Sequence, residues 1–96
     1  MRPREATIEV SFVRMLKRHG LLSLKLNVSG QRGWPDRLVL LPGGRVVFVE
    51  LKRPGGELRR LQAHVHARLT ALGFEVAVCD DAVRAAAFVY ACKEQT

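Results

Sequence analysis

Arg45-Val46-Val47-Phe48-Val49-Glu50-Leu51-Lys52 is apolar without a break from Val46 to Val49 and then closes on an acid and a base. An apolar run that does not alternate reads as a strand covered on both faces, in the middle of a sheet. Upstream, Arg37 to Leu41 is strand-like and Pro42-Gly43-Gly44 is a turn signal, so the two strands form a hairpin. A three-residue connection pairs Leu41 with Arg45, Val39 with Val47, Arg37 with Val49 and Asp36 with Glu50. A two-residue turn at Gly43-Gly44 would set Asp36 opposite Leu51 and send the two carboxylates to opposite faces.

The pattern extends outward in both directions. From about Arg4 to His19, Ile8, Phe12, Met15 and Leu16 follow one helical face, and Gly20 ends the helix. Leu22, Leu24 and Leu26 alternate with Ser23 and Lys25, which predicts a half-buried strand. Ser29 to Pro35 is a loop with two glycines and a proline. After Arg53-Pro54-Gly55-Gly56 a second helix is expected from about Glu57 to Leu72, with Leu58, Leu61, Val65, Leu69 and Leu72 on its apolar face. Phe74 to Cys79 reads as a strand, and Asp80 or Asp81 would cap a last helix running to about Cys92. The order is α-β-β-β-α-β-α. The fold class is α/β, a mixed sheet flanked by helices, and its last strand joins by a right-handed parallel crossover.

Ninety-six residues fit a single domain, over residues 1–96, with a thin core. A hydrophobic fraction of 48% argues against disorder. Sixteen Lys and Arg against nine Asp and Glu give a net charge of +7, which favours polyanions and, among them, nucleic acid. Cys79 and Cys92 lack the close spacing of a zinc or redox pair and read as reduced, partly buried thiols. No apolar run reaches transmembrane length and no signal-peptide pattern is present, so the expectation is a soluble, cytoplasmic protein without membrane contact.

Several ionisable or polar groups stand where the pattern calls for apolar ones. Glu50 and Lys52 share one face of the central strand. In the three-residue register Asp36 joins them. Two carboxylates that close repel unless a cation or a proton lies between them, and oxygen donors of this kind suit magnesium or manganese. A lysine beside them could orient an attacking water or steady charge on a phosphate. As a plain structural feature, Glu50 and Lys52 are an ion pair at a strand end. Glu5 and Glu9 lie one turn apart within the apolar arc of the first helix, and Glu9 is favoured over Glu5 as a metal-site helper. Glu5 alternatively offsets the helix dipole. Gln62 lies on the apolar face of the second helix and needs a partner, either in the site or at a backbone group to cap.

Gly33-Trp34-Pro35-Asp36, then Glu50-Leu51-Lys52, then Gln62 resemble, in order and on matching elements, the VRR-NUC (virus-type replication-repair nuclease) family of PD-(D/E)xK nucleases. The resemblance runs from about Glu5 to Cys79 and is nearest to stand-alone phage and bacterial members. It implies a restriction-endonuclease-like fold and Mg2+- or Mn2+-dependent cleavage of branched double-stranded DNA, with no organic cofactor. Asp36, Glu50 and the carbonyl of Leu51 would hold the metal, with Glu9 or Glu5 from the first helix. Lys52 would position the nucleophile, and Gln62 matches the family glutamine. Stand-alone members resemble homodimeric Holliday-junction resolvases. Members fused to larger proteins resemble flap-type repair nucleases.

Arg32, Arg37, Arg53, Arg59 and Arg60 surround these motifs in sequence and are candidates for phosphate contacts in a DNA-repair or recombination enzyme, although Arg59 and Arg60 also suit the solvated side of a helix. Trp34 is the only tryptophan and is read as a packing residue rather than a stacking platform for a base. His64 and His66 stand at i, i+2 and do not share a helical face, which argues against a chelating pair. The rival outside enzymes is a basic DNA-binding module whose Glu50–Lys52 is only an ion pair.

Overall fold

Why the central strand tolerates charge follows from how it is framed. In the computed structural model, which describes residues 4–94, the elements run α1 (Glu5–Arg18), β1 (Leu22–Lys25), β2 (Arg37–Leu40), β3 (Val46–Leu51), α2 (Arg60–Ala71), β4 (Glu75–Cys79) and α3 (Ala82–Glu94). Residues 1–3 and 95–96 of the expected domain lie outside the described residues. The four strands stand in the order β1-β2-β3-β4, antiparallel up to β3 and parallel between β3 and β4. The α/β class, the element order and the mixed sheet are those read from the sequence. Among the described residues no helix is long and apolar enough to cross a membrane.

The register of β2 against β3 is the three-residue one. Arg37 faces Val49 and Val39 faces Val47. The Leu41 N–H donates to the Arg45 carbonyl at 2.8 Å, closing the hairpin. Pro42 to Gly44 form a single 3-10 turn in which Gly43 and Gly44 adopt φ of 79° and 77°. Positive φ is cheap only for glycine, so two glycines at these positions fix the count and with it the face of every side chain on β2 and β3.

One face of the sheet carries Val39, Leu41, Val47, Val49 and Leu51, all buried against α1 and α3. Phe12 and Leu16 are wholly buried there, each stabilising the fold by about 1.5–3 kcal/mol. Asp81 caps α3, its Oδ1 accepting the Arg84 N–H at 2.9 Å. Both thiols are free, Cys92 buried and Cys79 half-buried.

The other face is covered only in part. There α2 packs over β4, and Trp34 and Phe74 flank Phe48, with ring centroids 6.4 Å and 5.6 Å away. β1 departs from its expected orientation. Ser23, facing Val39 across the ladder, turns toward the core, whereas Leu22 and Leu24 are 55% and 43% exposed. Alternation was right, but the face it favours is one that α2 is too short to reach. α2 also begins later than expected, at Arg60, because Arg59 is extended at φ −71°, ψ 155° and serves as its N-cap.

Gly33 sets the approach of the 26–36 loop to α2. Its φ is +88°, and a Cβ there would stand 2.8 Å from the Leu61 carbonyl oxygen. Gly30 has a similar φ of +72° with nothing within 4 Å of such a Cβ. Gly33→Ala should therefore destabilise the protein by about 1 kcal/mol or more beyond Gly30→Ala, since only the former adds a clash with backbone to the strain of positive φ. Paired urea melts measure the difference, and equal losses would refute the close-approach account.

Candidate active site

Asp36 reaches the site by standing in for a ladder partner. The N–H groups of successive residues on a strand point to opposite sides. Lys52 donates toward β4, to the Cys79 carbonyl at 2.8 Å. Leu51 therefore points toward β2, where the ladder has already ended at Arg37. The Asp36 carboxylate fills that place, its Oδ2 accepting the Leu51 N–H at 2.8 Å. This bond holds one Asp36 oxygen and brings the carboxylate beside Glu50.

Glu50 and Lys52 end the central strand at 2% and 8% exposure. A carboxylate so placed resists ionisation. Burial, then the hydrogen bond and charge of Asp36, push the Glu50 carboxyl up to about 8, while Lys52 pulls the other way. The site residue to which sequence reasoning gave no catalytic role is His66. Its Nε2 lies 3.2 Å from Glu50 Oε1, and the ring is 7% exposed. The contact has the distance of an ion pair, but burial lowers the His66 pKa while it raises that of Glu50. Both groups are driven toward their neutral forms, so the contact is a hydrogen bond. The buried Nδ1 has no partner among the described residues. The available signal was that His66 stands one turn after Gln62 on the same helical face.

Gln62 itself caps the helix. Its Oε1 accepts the Arg59 N–H at 2.8 Å, which satisfies one of the otherwise unpartnered groups at a helix start. The two α1 glutamates part company. Glu9 Oε2 is bound by Arg37 Nε at 2.8 Å. Glu5 instead lies at the site: its charge adds to the rise in the Glu50 pKa, and its Oε1 is 3.4 Å from the Arg53 N–H. Trp34 donates its indole N–H to Gln31 Oε1 at 3.0 Å.

A cavity of about 470 Å³ opens in front of Lys52. Its walls are Arg4, Glu5 and Glu57 with Arg53, Gly56 and Arg59. Arg32 and Arg60 are exposed and stand outside those walls. Among the described residues no group of three or more His, Cys, Asp or Glu side chains gathers around a metal position. The donor set in place is smaller: two carboxylates, and a Leu51 carbonyl on the same strand edge as the N–H that Asp36 accepts. Burial and the neighbouring Asp36 raise the Glu50 pKa against the pull of Lys52, so the pair still calls for a proton or further positive charge. A divalent cation meets that need as well as a proton does.

No protein-family model matches the chain. It is 46% identical over 77 residues to "Putative nuclease p44" of Acyrthosiphon pisum secondary endosymbiont phage 1, covering 80% of this chain and 83% of that one. Among solved structures, one described as a VRR_NUC domain aligns with a TM-score of 0.81 at 28% identity, over 90% of this chain and 94% of that one.

The protonation of Glu50 has a measurable signature. Its pKa rises from 4.5 in the unfolded chain to about 8 in the fold. Between those values the native state holds a proton that the unfolded state has released, so stability falls as pH rises. In chelator, denaturant midpoints of the wild type should drop between pH about 5 and about 8, and Glu50→Gln should flatten that slope. Parallel curves for the two proteins would place the proton elsewhere.

Proposed function

The chain belongs to the VRR-NUC family of nucleases, and from that premise we propose that it is a metal-dependent, structure-selective DNA endonuclease, acting on branched duplexes as a homodimeric Holliday-junction resolvase. The observation that carries the reading is the juxtaposition of Asp36, Glu50 and Lys52 at the buried end of β3, beside a cavity walled by arginines.

Asp36, Glu50 and the Leu51 carbonyl are the residues that would hold Mg2+ or Mn2+. When bound, the cation supplies a Lewis acid for the scissile phosphate and lowers the pKa of a coordinated water. The chain's own groups do the rest. The Leu51 N–H and the His66 ring each engage one carboxylate oxygen, which leaves the other oxygen of Asp36 and of Glu50 for the ion. With Glu50 ionised, His66 Nε2–H donates to it and Nδ1 keeps a bare lone pair, the cheaper atom to leave unpartnered. Lys52 is buried on the same face as Glu50, and its ammonium orients the attacking water and steadies negative charge on the phosphate. Arg4, Arg53 and Arg59 neutralise the flanking phosphates. Glu5, near the Arg53 N–H, would be the first-helix carboxylate to assist, in preference to Glu9, which is bound by Arg37.

Two-fold symmetry motivates the dimer, because a paired cut across a four-way junction needs two sites related by a two-fold axis. Exposed Leu22 and Leu24 on the open sheet face supply apolar surface for a second copy. Sedimentation as a strict monomer at micromolar concentration would remove this part of the reading and favour a monomeric enzyme acting on flaps or nicks.

The experiment is cleavage of a labelled four-way junction beside matched duplex, with Mg2+ or Mn2+ and with chelator, for wild type and Lys52→Ala. Paired nicks in the junction, lost in chelator and lowered about 10²- to 10³-fold in Lys52→Ala, are expected. Junction binding with no cleavage under either metal would identify a non-catalytic DNA-binding module. Single-strand cuts would point to the flap-type activity.

A further inference from the structure

A second cavity, of about 540 Å³, runs along α1 on the side away from α2. It is walled by Arg14, Lys17, Lys25 and Arg37, with Glu9 and Val13 at its floor. Two of these charges cancel, since Glu9 binds Arg37 at 2.8 Å. Arg14, Lys17 and Lys25 are exposed and have no ion-pair partner among the described residues. The groove therefore carries three uncompensated positive charges. Lys17 sits in the last turn of α1, where it also complements the helix dipole. That account does not extend to Arg14, one turn earlier, or to Lys25, which is on a strand. Lys25 stands directly opposite Arg37 across the β1–β2 ladder, on the same face. Like charges so paired are unfavourable; Glu9 meets the charge of Arg37, and Lys25 is left without a partner of its own among the described residues.

The groove lies on the α1 face of the sheet, across from Glu50 and Lys52, and its N-terminal end approaches the active site, where Glu5 meets Arg53. Ala6 of α1 lines one end, next to Glu5 in the wall of the catalytic cavity. Lys17 lies at the other end, about 16 Å further along the helix axis at 1.5 Å per residue. At about 3.4 Å of rise per nucleotide that length matches roughly five steps of one DNA strand. Arg37, in the groove, directly follows Asp36 in the site.

We propose that the groove between α1 and β1 is a phosphate track, in which Arg14, Lys17 and Lys25 hold the backbone of the DNA strand that leads away from the cut. The proposal rests on the reading that DNA is the substrate, and it adds a binding surface separate from the arginines around Lys52. Contacts of this kind fix the position of the duplex and carry no sequence information.

The test reads binding, so it does not depend on cleavage. Fluorescence anisotropy with a labelled four-way junction and a matched duplex, in chelator over a range of salt, gives the slope of log affinity against log salt. Arg14→Ala, Lys17→Ala and Lys25→Ala should each reduce that slope by about one, and the triple variant by about three, similarly for unrelated sequences. Arg14→Lys and Lys25→Arg should retain the wild-type slope, and thermal melts should show all variants folded. Arg68→Ala, on α2 across the sheet, is the control and should change little. An unchanged slope in the triple variant, or an equal loss with Arg68→Ala, would overturn the proposal. Wild-type protein that binds with the expected slope but never cuts would instead count against the nuclease reading and leave the track standing.

Discussion

A carboxylate buried on the central strand is the constraint around which the molecule is arranged. Glu50 sits where hydrogen-bonded neighbours run on both sides and neither face opens freely to water. An ion in such a place costs several kcal/mol unless partners are supplied. The partners are a second carboxylate from β2, a neutral imidazole from α2 and the ammonium of Lys52 two residues along the strand. Only Lys52 favours the ionised form, and it is outweighed. The free protein therefore meets the cost with a proton.

The rest of the architecture holds those partners in place. Two left-handed glycines in the β2–β3 turn choose the register that puts Asp36 on the face of Glu50. The early end of the β2 ladder leaves the Leu51 N–H to the Asp36 side chain rather than to a backbone carbonyl. Gly33 lets the loop before Asp36 close on the start of α2, and the Gln62 cap fixes where that helix begins, one turn before His66. Each device is local, yet all of them converge on the last two turns of strand and helix around Glu50. A fold with a thin core can keep so much polar material inside because most of the apolar core is on the other side, against α1 and α3.

The hairpin was legible in Pro42-Gly43-Gly44, but the turn residues alone allowed two registers, and only the need to bring Asp36 beside Glu50 pointed to the three-residue one. The burial of Val46 to Val49 was legible because an unbroken apolar run has few alternatives. Three features were harder to read, for physical reasons. Periodicity showed that Leu22 and Leu24 share a face, but which face is covered depends on how far α2 reaches. Arg59 continues the helical pattern of Leu58 and Leu61, so only the cap geometry reveals that α2 starts after it. Glu5 and Glu9 fall on the same arc of α1, and one turn of rise decides between them. That rise sets Glu9 level with Arg37 at the start of β2, and Glu5 level with Arg53 beyond the end of β3.

The Glu9–Arg37 pair has an effect beyond tying α1 to β2. A bare Glu9 at this place would set a negative charge inside the groove along α1 and offset part of its basic lining. A bare Arg37 would face Lys25 with nothing to separate them. Bound together at 2.8 Å, the two charges cancel inside the groove and leave Arg14, Lys17 and Lys25 as its net charge. The net charge of +7 is thus more than a solubility feature. Part of it is organised into arginines around Lys52, where a phosphate would be attacked, and part into the exposed cations along α1, where the strand would be guided.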